Sequence, residues 1–280
     1  MSVLQVDVKQ TIASKNNKLA KFLPPFFIRW IEKLIHQDEI NQFLLKHEND
    51  TAIEFAQNGL KEFAQASITV TNEKMIPKEG RYIVVSNHPL GAIDGLALIS
   101  LIGKYRDDIK FPVNDLLMAI KPMHGIFIPI NKHGKNSIEA AKELHNTFLS
   151  DDLILYFPAG ICSRKIKGKI QDLEWKKTII QKAKEYQRDI IPVFFEGRNS
   201  ERFYRLANWR KRLGIKVNLE MILLPDEMVK QKGNRFTVTF GAPISYSTFD
   251  SSKTPKEWAA WLQKQTTELA AKMHKDNLTN

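Results

Sequence analysis

Val84-Val85-Ser86-Asn87-His88-Pro89-Leu90-Gly91-Ala92-Ile93-Asp94-Gly95 contains the organisation of the chain in miniature. An apolar, β-branched run stops at Asn-His, a Pro/Gly turn follows, and Asp94 opens the apolar, helix-like stretch Leu96 to Ile102. A strand emptying through a polar turn into a helix is the repeating unit of an α/β fold. It also builds a His-Asp pair. A histidine at a strand end is open to substrate, and a carboxylate on the next element fixes its tautomer and stabilises the imidazolium. His88 therefore reads as a general base and Asp94 as its orienter. The same residues also suit an ordinary loop histidine beside a helix-capping aspartate, because Asp before an apolar run is a common N-cap.

Working outward, the alternation continues. β-type runs at 68–70, 82–85, 126–130, 153–157, 190–195, 216–223 and 236–240 are separated by helical stretches that include 94–103, 137–149 and 174–186, and 254–273 reads as a final amphipathic helix. This pattern predicts a sheet covered by helices, with functional residues on loops at strand ends. No internal repeat, low-complexity tract or Pro-rich linker interrupts it, so residues 67–280 read as one α/β domain.

Residues 1–66 read as a helical front end. The segment KFLPPFFIRWIEKLIH, 21–36, places Phe22, Leu23, Phe26, Phe27, Trp30, Ile31, Leu34 and Ile35 on one stripe, with Arg29, Glu32, Lys33 and His36 elsewhere. Aromatic rings on one face and cations opposite suit an interfacial membrane helix; packing on the protein's own core is the plainer use of such a stripe. A second helical pattern runs from Ile40 to Ala66.

Composition limits the partners. The 280 residues are 43% hydrophobic, enough for a substantial core, and 42 Lys and Arg against 31 Asp and Glu give a net charge of +11. Such a balance implies an anionic partner: nucleic acid, an anionic membrane or an acidic carrier. The basic residues are spread out and no nucleic-acid motif accompanies them, which argues against nucleic acid. A single cysteine, Cys162, excludes an intrachain disulfide framework and a multi-cysteine zinc site. No stretch approaches the roughly 18–20 apolar residues of a membrane span, and Met1 to Lys21 lacks the apolar core of a secretory signal. The expectation is a protein that stays in the cytosol or lies on a membrane face, without a transmembrane helix.

Three further polar loops follow apolar runs. Gly125-Ile126-Phe127-Ile128-Pro129-Ile130 empties into Asn131-Lys132-His133-Gly134; Tyr156-Phe157-Pro158-Ala159-Gly160 leads to Ile161-Cys162-Ser163-Arg164; and Ile191-Pro192-Val193-Phe194-Phe195 ends in Glu196-Gly197-Arg198-Asn199. Each alone is an ordinary strand and solvated turn. Together, four such loops at successive strand ends can surround one cleft.

The ordered set Asn-His...Asp, Gly-x-Phe-Ile, Phe-Pro-x-Gly-x-x-Ser-Arg and Ile-Pro-Val, spanning about residues 68–200, resembles the four blocks of the glycerolipid acyltransferase family, which includes 1-acylglycerol-3-phosphate acyltransferase. The resemblance implies an α/β acyltransferase fold, with a mixed central sheet covered by helices, preceded by a helical membrane-seating region. It implies that His88 deprotonates a substrate hydroxyl, which attacks the thioester of an acyl carrier protein or coenzyme A. Asp94 then orients His88, and neither a metal, a bound cofactor nor a covalent acyl-enzyme is needed. Asn87, Gly91, Gly125, Asn131, Lys132, Gly160, Ser163 and Arg164 are the substrate-binding residues it implies. Cys162 or Ser163 as a nucleophile is the alternative, though neither has a sequence signature of activation.

Departures from the family pattern refine the expectation. Five residues, Pro89 to Ile93, separate His88 from Asp94 where the family commonly has four, and Gly91 is best able to take the backbone angles that absorb the extra one. Asn131 replaces the usual Arg of the second block and Ala159 the usual Glu of the third. Loss of a bidentate Arg fork weakens the case for a phosphate-bearing acceptor. The variants HPLG-x-x-DG and FPAG resemble the hemolysin-like branch and the O-acyltransferases of amino-acid lipids. That branch implies a lyso-lipid acceptor with a glycine- or ornithine-type head group, whose carboxylate Lys132 or Arg164 would pair. Lysophosphatidic acid is the alternative acceptor. A non-catalytic lipid-binding membrane protein on the same scaffold is the alternative of another class, supported by the longer His88–Asp94 connection. The expected setting is the cytoplasmic face of the cell membrane, as a peripheral protein on an anionic surface.

Overall fold

A computed structural model describes residues 6–15, 23–130 and 137–276. Among them, seven strands form one mixed sheet: β1 (Ser67–Thr71), β2 (Tyr82–Ser86), β3 (Ile109–Val113), β4 (Phe127–Pro129), β5 (Leu153–Tyr156), β8 (Asp189–Phe195) and β9 (Arg235–Phe240), in the order β1-β9-β8-β2-β5-β3-β4. A small hairpin, β6 (Arg164–Ile166) with β7 (Lys169–Gln171), stands apart. Pairing is parallel except between β8 and β9, so β2, β3, β4, β5 and β8 all point their C-terminal ends to one edge.

The helices are α1 (Val8–Lys15), α2 (Pro25–Leu34), α3 (Gln37–Lys46), α4 (Ala52–Asn58), α5 (Ile93–Ile102), α6 (Ser137–Leu149), α7 (Thr178–Glu185), α8 (Glu201–Arg212), α9 (Leu224–Lys230) and α10 (Pro255–Asp276). They cover both faces of the sheet, as the alternation of β2 requires. Val84 joins the cluster with Phe55, Ala97, Leu98 and Phe195, whereas Ile83 and Val85 join Phe148, Ile179, Trp258 and Leu262 on the other face. A strand buried on both faces is continuously apolar, which is why Ile83-Val84-Val85 stands out in the sequence.

Before residue 67, Leu44, Phe55, Ala56, Leu60 and Ala64 share the sheet's core, while Val8, Ile28 and Ile31 of α1 and α2 make a small cluster of their own. The stripe expected of 21–36 is only partly buried. Ile31 turns inward together with Ile28, which the stripe had omitted, whereas Phe26 and Trp30 are 70% and 52% exposed. Residues 21 and 22 lie outside the described residues.

Two expectations fail. Residues 216–223 alternate in polarity but form no strand: Leu219–Leu223 is a 3₁₀ turn running into α9. The buried Glu220 pins it, accepting from Arg164 Nη2 at 2.7 Å and Arg210 Nε at 2.7 Å. Conversely, β3 was not expected, because Pro112 interrupts a short Ile-Lys-Phe-Pro-Val run. No described helix is long and apolar enough to cross a membrane.

Candidate active site

His88 follows β2 at the sheet edge where the parallel strands end, the usual place for ligands in α/β sheets. Its Nδ1 lies 3.0 Å from Asp94 Oδ2. The extra residue in the connection therefore leaves the pair intact, and Gly91 absorbs it at φ +91°. A Cβ there would fall 2.7 Å from Cys162 Sγ and 3.0 Å from Leu224, so both conformation and space require glycine.

Asp94 is not the N-cap of α5; that position is Ala92. Its carboxylate instead gathers the whole turn. Oδ2 accepts from the backbone N–H groups of Leu90 at 3.0 Å and Gly91 at 3.2 Å, while Oδ1 accepts from Gly95 N–H at 3.0 Å. Burial opposes its charge, but imidazolium attraction and these donors prevail and hold the carboxyl below its ordinary pKa. Burial likewise opposes the charged form of His88. There the Asp94 carboxylate prevails and raises the imidazole well above the ordinary histidine value. The ring remains 15% exposed and stacks on Phe157, with centroids 4.1 Å apart.

The backbone around His88 is held as firmly as the ring. His88 N–H donates to Asp172 Oδ1 at 3.2 Å, its carbonyl accepts from Ser163 N–H at 2.7 Å, and the Pro89 carbonyl accepts from Asn199 Nδ2 at 3.2 Å. Asp172, 84 residues away in sequence, also accepts from Ser163 Oγ at 2.5 Å and Trp175 Nε1 at 2.9 Å, and burial raises its pKa. No motif pointed to Asp172 or Trp175, and the third loop named Asn199 without its partner Pro89, because these partners are distant in the chain.

The remaining site residues named from sequence fall into different roles. Asn87 extends the β2–β8 pairing: its Nδ2 donates to the Phe195 carbonyl at 2.9 Å and its Oδ1 accepts from Phe195 N–H at 2.7 Å. Ser163 is buried and committed to Asp172, and Cys162 is fully buried. Neither is presented to a substrate as a nucleophile would be. Arg164 does not reach toward an acceptor. It is buried against Glu220, donates to the Cys162 and Ser163 carbonyls, and lies over the Phe203 ring. Its three acceptors and the ring satisfy the guanidinium inside the fold.

Gly125 precedes β4, at the end opposite the one where β2 releases His88, and its carbonyl accepts from Lys110 Nζ at 2.8 Å. Asn131 and Lys132 lie outside the described residues. Gly160, at φ +73°, closes the Phe-Pro-Ala-Gly turn, and a Cβ there would fall 2.5 Å from Lys176 Nζ. Lys176, an exposed cation between β7 and α7, thus reaches the turn that follows Phe157, the ring stacked on His88. Ala159 is buried, packed with the far-face cluster that includes Trp175 and Trp258; a glutamate there would be an isolated buried acid.

A histidine paired with a buried carboxylate at the C-terminal edge of an α/β sheet has the geometry to take a proton from a hydroxyl. A family model described as acyltransferase matches residues 10–275, and the chain belongs to that family. It is an O-acyltransferase. The chain is 45% identical over 263 residues to the lyso-glycine lipid O-acyltransferase of Bacteroides thetaiotaomicron, covering 94% of this chain and 96% of that one. It is 42% identical over 263 residues to the enzyme of the same name from Phocaeicola vulgatus, covering 94% of each. The solved 1-acyl-sn-glycerophosphate acyltransferase PlsC of Thermotoga maritima aligns over 94% of both chains, with a TM-score of 0.48 and 16% identity.

Proposed function

We propose that this protein transfers a fatty acyl chain from an acyl thioester to the free hydroxyl of an amino-acid lyso-lipid of the glycine type. The observation that carries the chemistry is the 3.0 Å contact of His88 Nδ1 with the buried Asp94 carboxylate. With Nδ1–H donating to Asp94, the lone pair resides on Nε2, which takes the hydroxyl proton as the oxygen attacks the thioester carbonyl. The C–S bond then breaks, and the imidazolium returns its proton to the leaving thiolate. Asp94 stabilises the imidazolium between the two transfers. The printed names of the two relatives support the acceptor class.

The burial of Arg164 against Glu220 removes that fork as the partner of either head group. The head-group carboxylate is met by Lys132 or by Lys176 above Gly160. The donor is the thioester of acyl carrier protein or coenzyme A. The enzyme works from the cytoplasmic face of the membrane as a peripheral protein, with the exposed Phe26, Phe27 and Trp30 of α2 seated in an anionic surface.

Purified protein given each donor, with lyso-glycine lipid and lysophosphatidic acid in competition, tests the reading. Preferential acylation of the lyso-glycine lipid, abolished in His88→Ala, is expected. Preference for lysophosphatidic acid overturns the acceptor, and a fully active His88→Ala overturns the mechanism.

A further inference from the structure

α8 has a composition that the acyl-transfer chemistry does not use. It holds Arg202, Arg205, Arg210, Lys211 and Arg212 against the single acid Glu201, yet also displays Trp209, which is 56% exposed. The segment that follows continues the pattern: Leu213, Val217, Leu219 and Ile222 are all exposed, with Val217 at 68%, and Lys216 lies among them. This surface adjoins the aromatic face of α2. Trp30 and Leu34 from one helix and Arg205, Leu206 and Trp209 from the other line a single groove of about 620 Å³. Phe27 stacks on Trp30 beside it, with centroids 5.5 Å apart.

We infer that α8 and residues 213–222 form, together with α2, one continuous docking face for an anionic lipid bilayer. The inference rests on the membrane reading proposed above and extends it to a second element. Charge complementarity selects the occupant, because Arg205, Lys211 and Arg212 of α8 stand exposed among indoles and aliphatic side chains. Indole rings seat at the headgroup level, aliphatic side chains enter below it, and guanidinium groups meet lipid phosphates.

The groove is also placed to deliver a lipid. Beneath it, Leu34, Leu206 and Leu224 pack on Cys162, Phe203, Tyr204 and Leu223. That same cluster backs the turn of His88: Cys162 Sγ and Leu224 are the atoms nearest to where a Cβ of Gly91 would lie. A bilayer against this face is thus separated from the turn of His88 by the side chains of the Cys162 cluster.

Flotation of the full chain with phosphatidylcholine vesicles, with and without phosphatidylglycerol, tests the face. Binding is expected to rise with phosphatidylglycerol and fall with salt. Arg205→Gln is expected to weaken it about fivefold, the loss of one interfacial cation. Trp209→Ala and Val217→Glu are expected to weaken it comparably to Trp30→Ala, with melting temperatures unchanged because all three side chains are exposed. Normal vesicle binding by the α8 and 217 variants, alongside a defective Trp30→Ala, overturns this face and leaves α2 as the seat. A wild-type protein that floats with no vesicle overturns the membrane reading itself. Unchanged flotation with activity lost only toward acyl carrier protein donors assigns the surface to an acidic protein and overturns the lipid assignment.

Discussion

The turn from His88 to Asp94 and the face made by α2, α8 and residues 213–222 lie on opposite sides of the Cys162 cluster, and they are built by opposite rules. In the turn, the groups that place the imidazole are spoken for: the His88 N–H and carbonyl, the Pro89 carbonyl, and both oxygens of Asp94. On the face, large apolar side chains stand in solvent with nothing among the described residues to cover them. Proton transfer depends on tenths of an ångström, so its geometry is completed within the fold. A surface meant for a fluid partner needs only the right chemistry in the right region.

That contrast breaks most directly at its centre. His88→Ala is expected to lower kcat by about 10²–10⁴-fold, the usual worth of a general base, with vesicle flotation unchanged. In Asp94→Asn the imidazole loses its orienter, and the fall in kcat is expected within the same ~10²–10⁴ range. The pH dependence separates the two roles of Asp94. A raised His88 pKa means the base is charged, and idle, below that value, so wild-type activity is expected to rise with pH through a limb above 6.5. In Asp94→Asn the largest influence raising the imidazole is gone, leaving burial opposed only by Cys162, and the limb moves to lower pH. The pair's contribution to stability has the opposite sense for His88: it is full below the ordinary histidine value and is lost as pH rises through the folded-state one. The margin of wild type over Asp94→Asn in thermal melts is therefore expected to narrow in alkaline buffer.

Glu220→Ala is expected to cost about 3–5 kcal/mol of stability by stranding Arg164 and Arg210, and a denaturant melt measures it. A rise in the acceptor KM of a conservative Arg164→Lys variant without loss of stability would return that residue to the site. Gly91→Ala forces a side chain into the left-handed region and against Cys162. It is expected to cost about 1–3 kcal/mol in the same melt and to lower kcat with the turn. Asp172→Asn keeps the shape but not the charge, and is expected to lower kcat on the order of tenfold with KM little changed, through displacement of the His88 backbone. The smallest effect belongs to the other region. Ile222→Ser is expected to alter stability by no more than about 0.5 kcal/mol and to leave kcat intact, since its side chain contacts solvent.

The His88–Asp94 contact was legible because both partners, the turn between them and the glycine that accommodates it fall within seven residues, where local pattern and backbone conformation are the same question. Six of the seven strands of the sheet and the sheet order's main consequence, loops converging at one edge, followed from hydrophobic runs. β3 did not, because a proline inside a five-residue run masks it. Arg164 was misread for a related reason. Its partner Glu220 is 56 residues away, within a stretch whose alternating Val217, Leu219, Met221 and Leu223 mimic a strand. A buried ion pair leaves no local signature, and neither does a carboxylate such as Asp172 that serves the backbone of a distant histidine.

The ion triad of Glu220 with Arg164 and Arg210 has one more consequence, a kinetic one. A membrane-binding segment often folds only as it enters the lipid, and the ordering then slows association and weakens it. Residues 213–222 have no such freedom: to peel away they would have to leave two guanidinium groups behind without their counter-charge. On the docking face proposed above, this part of the protein would meet a bilayer already folded. Stopped-flow mixing with anionic vesicles should therefore give a single phase whose rate scales with lipid concentration, with no slow step of refolding after contact.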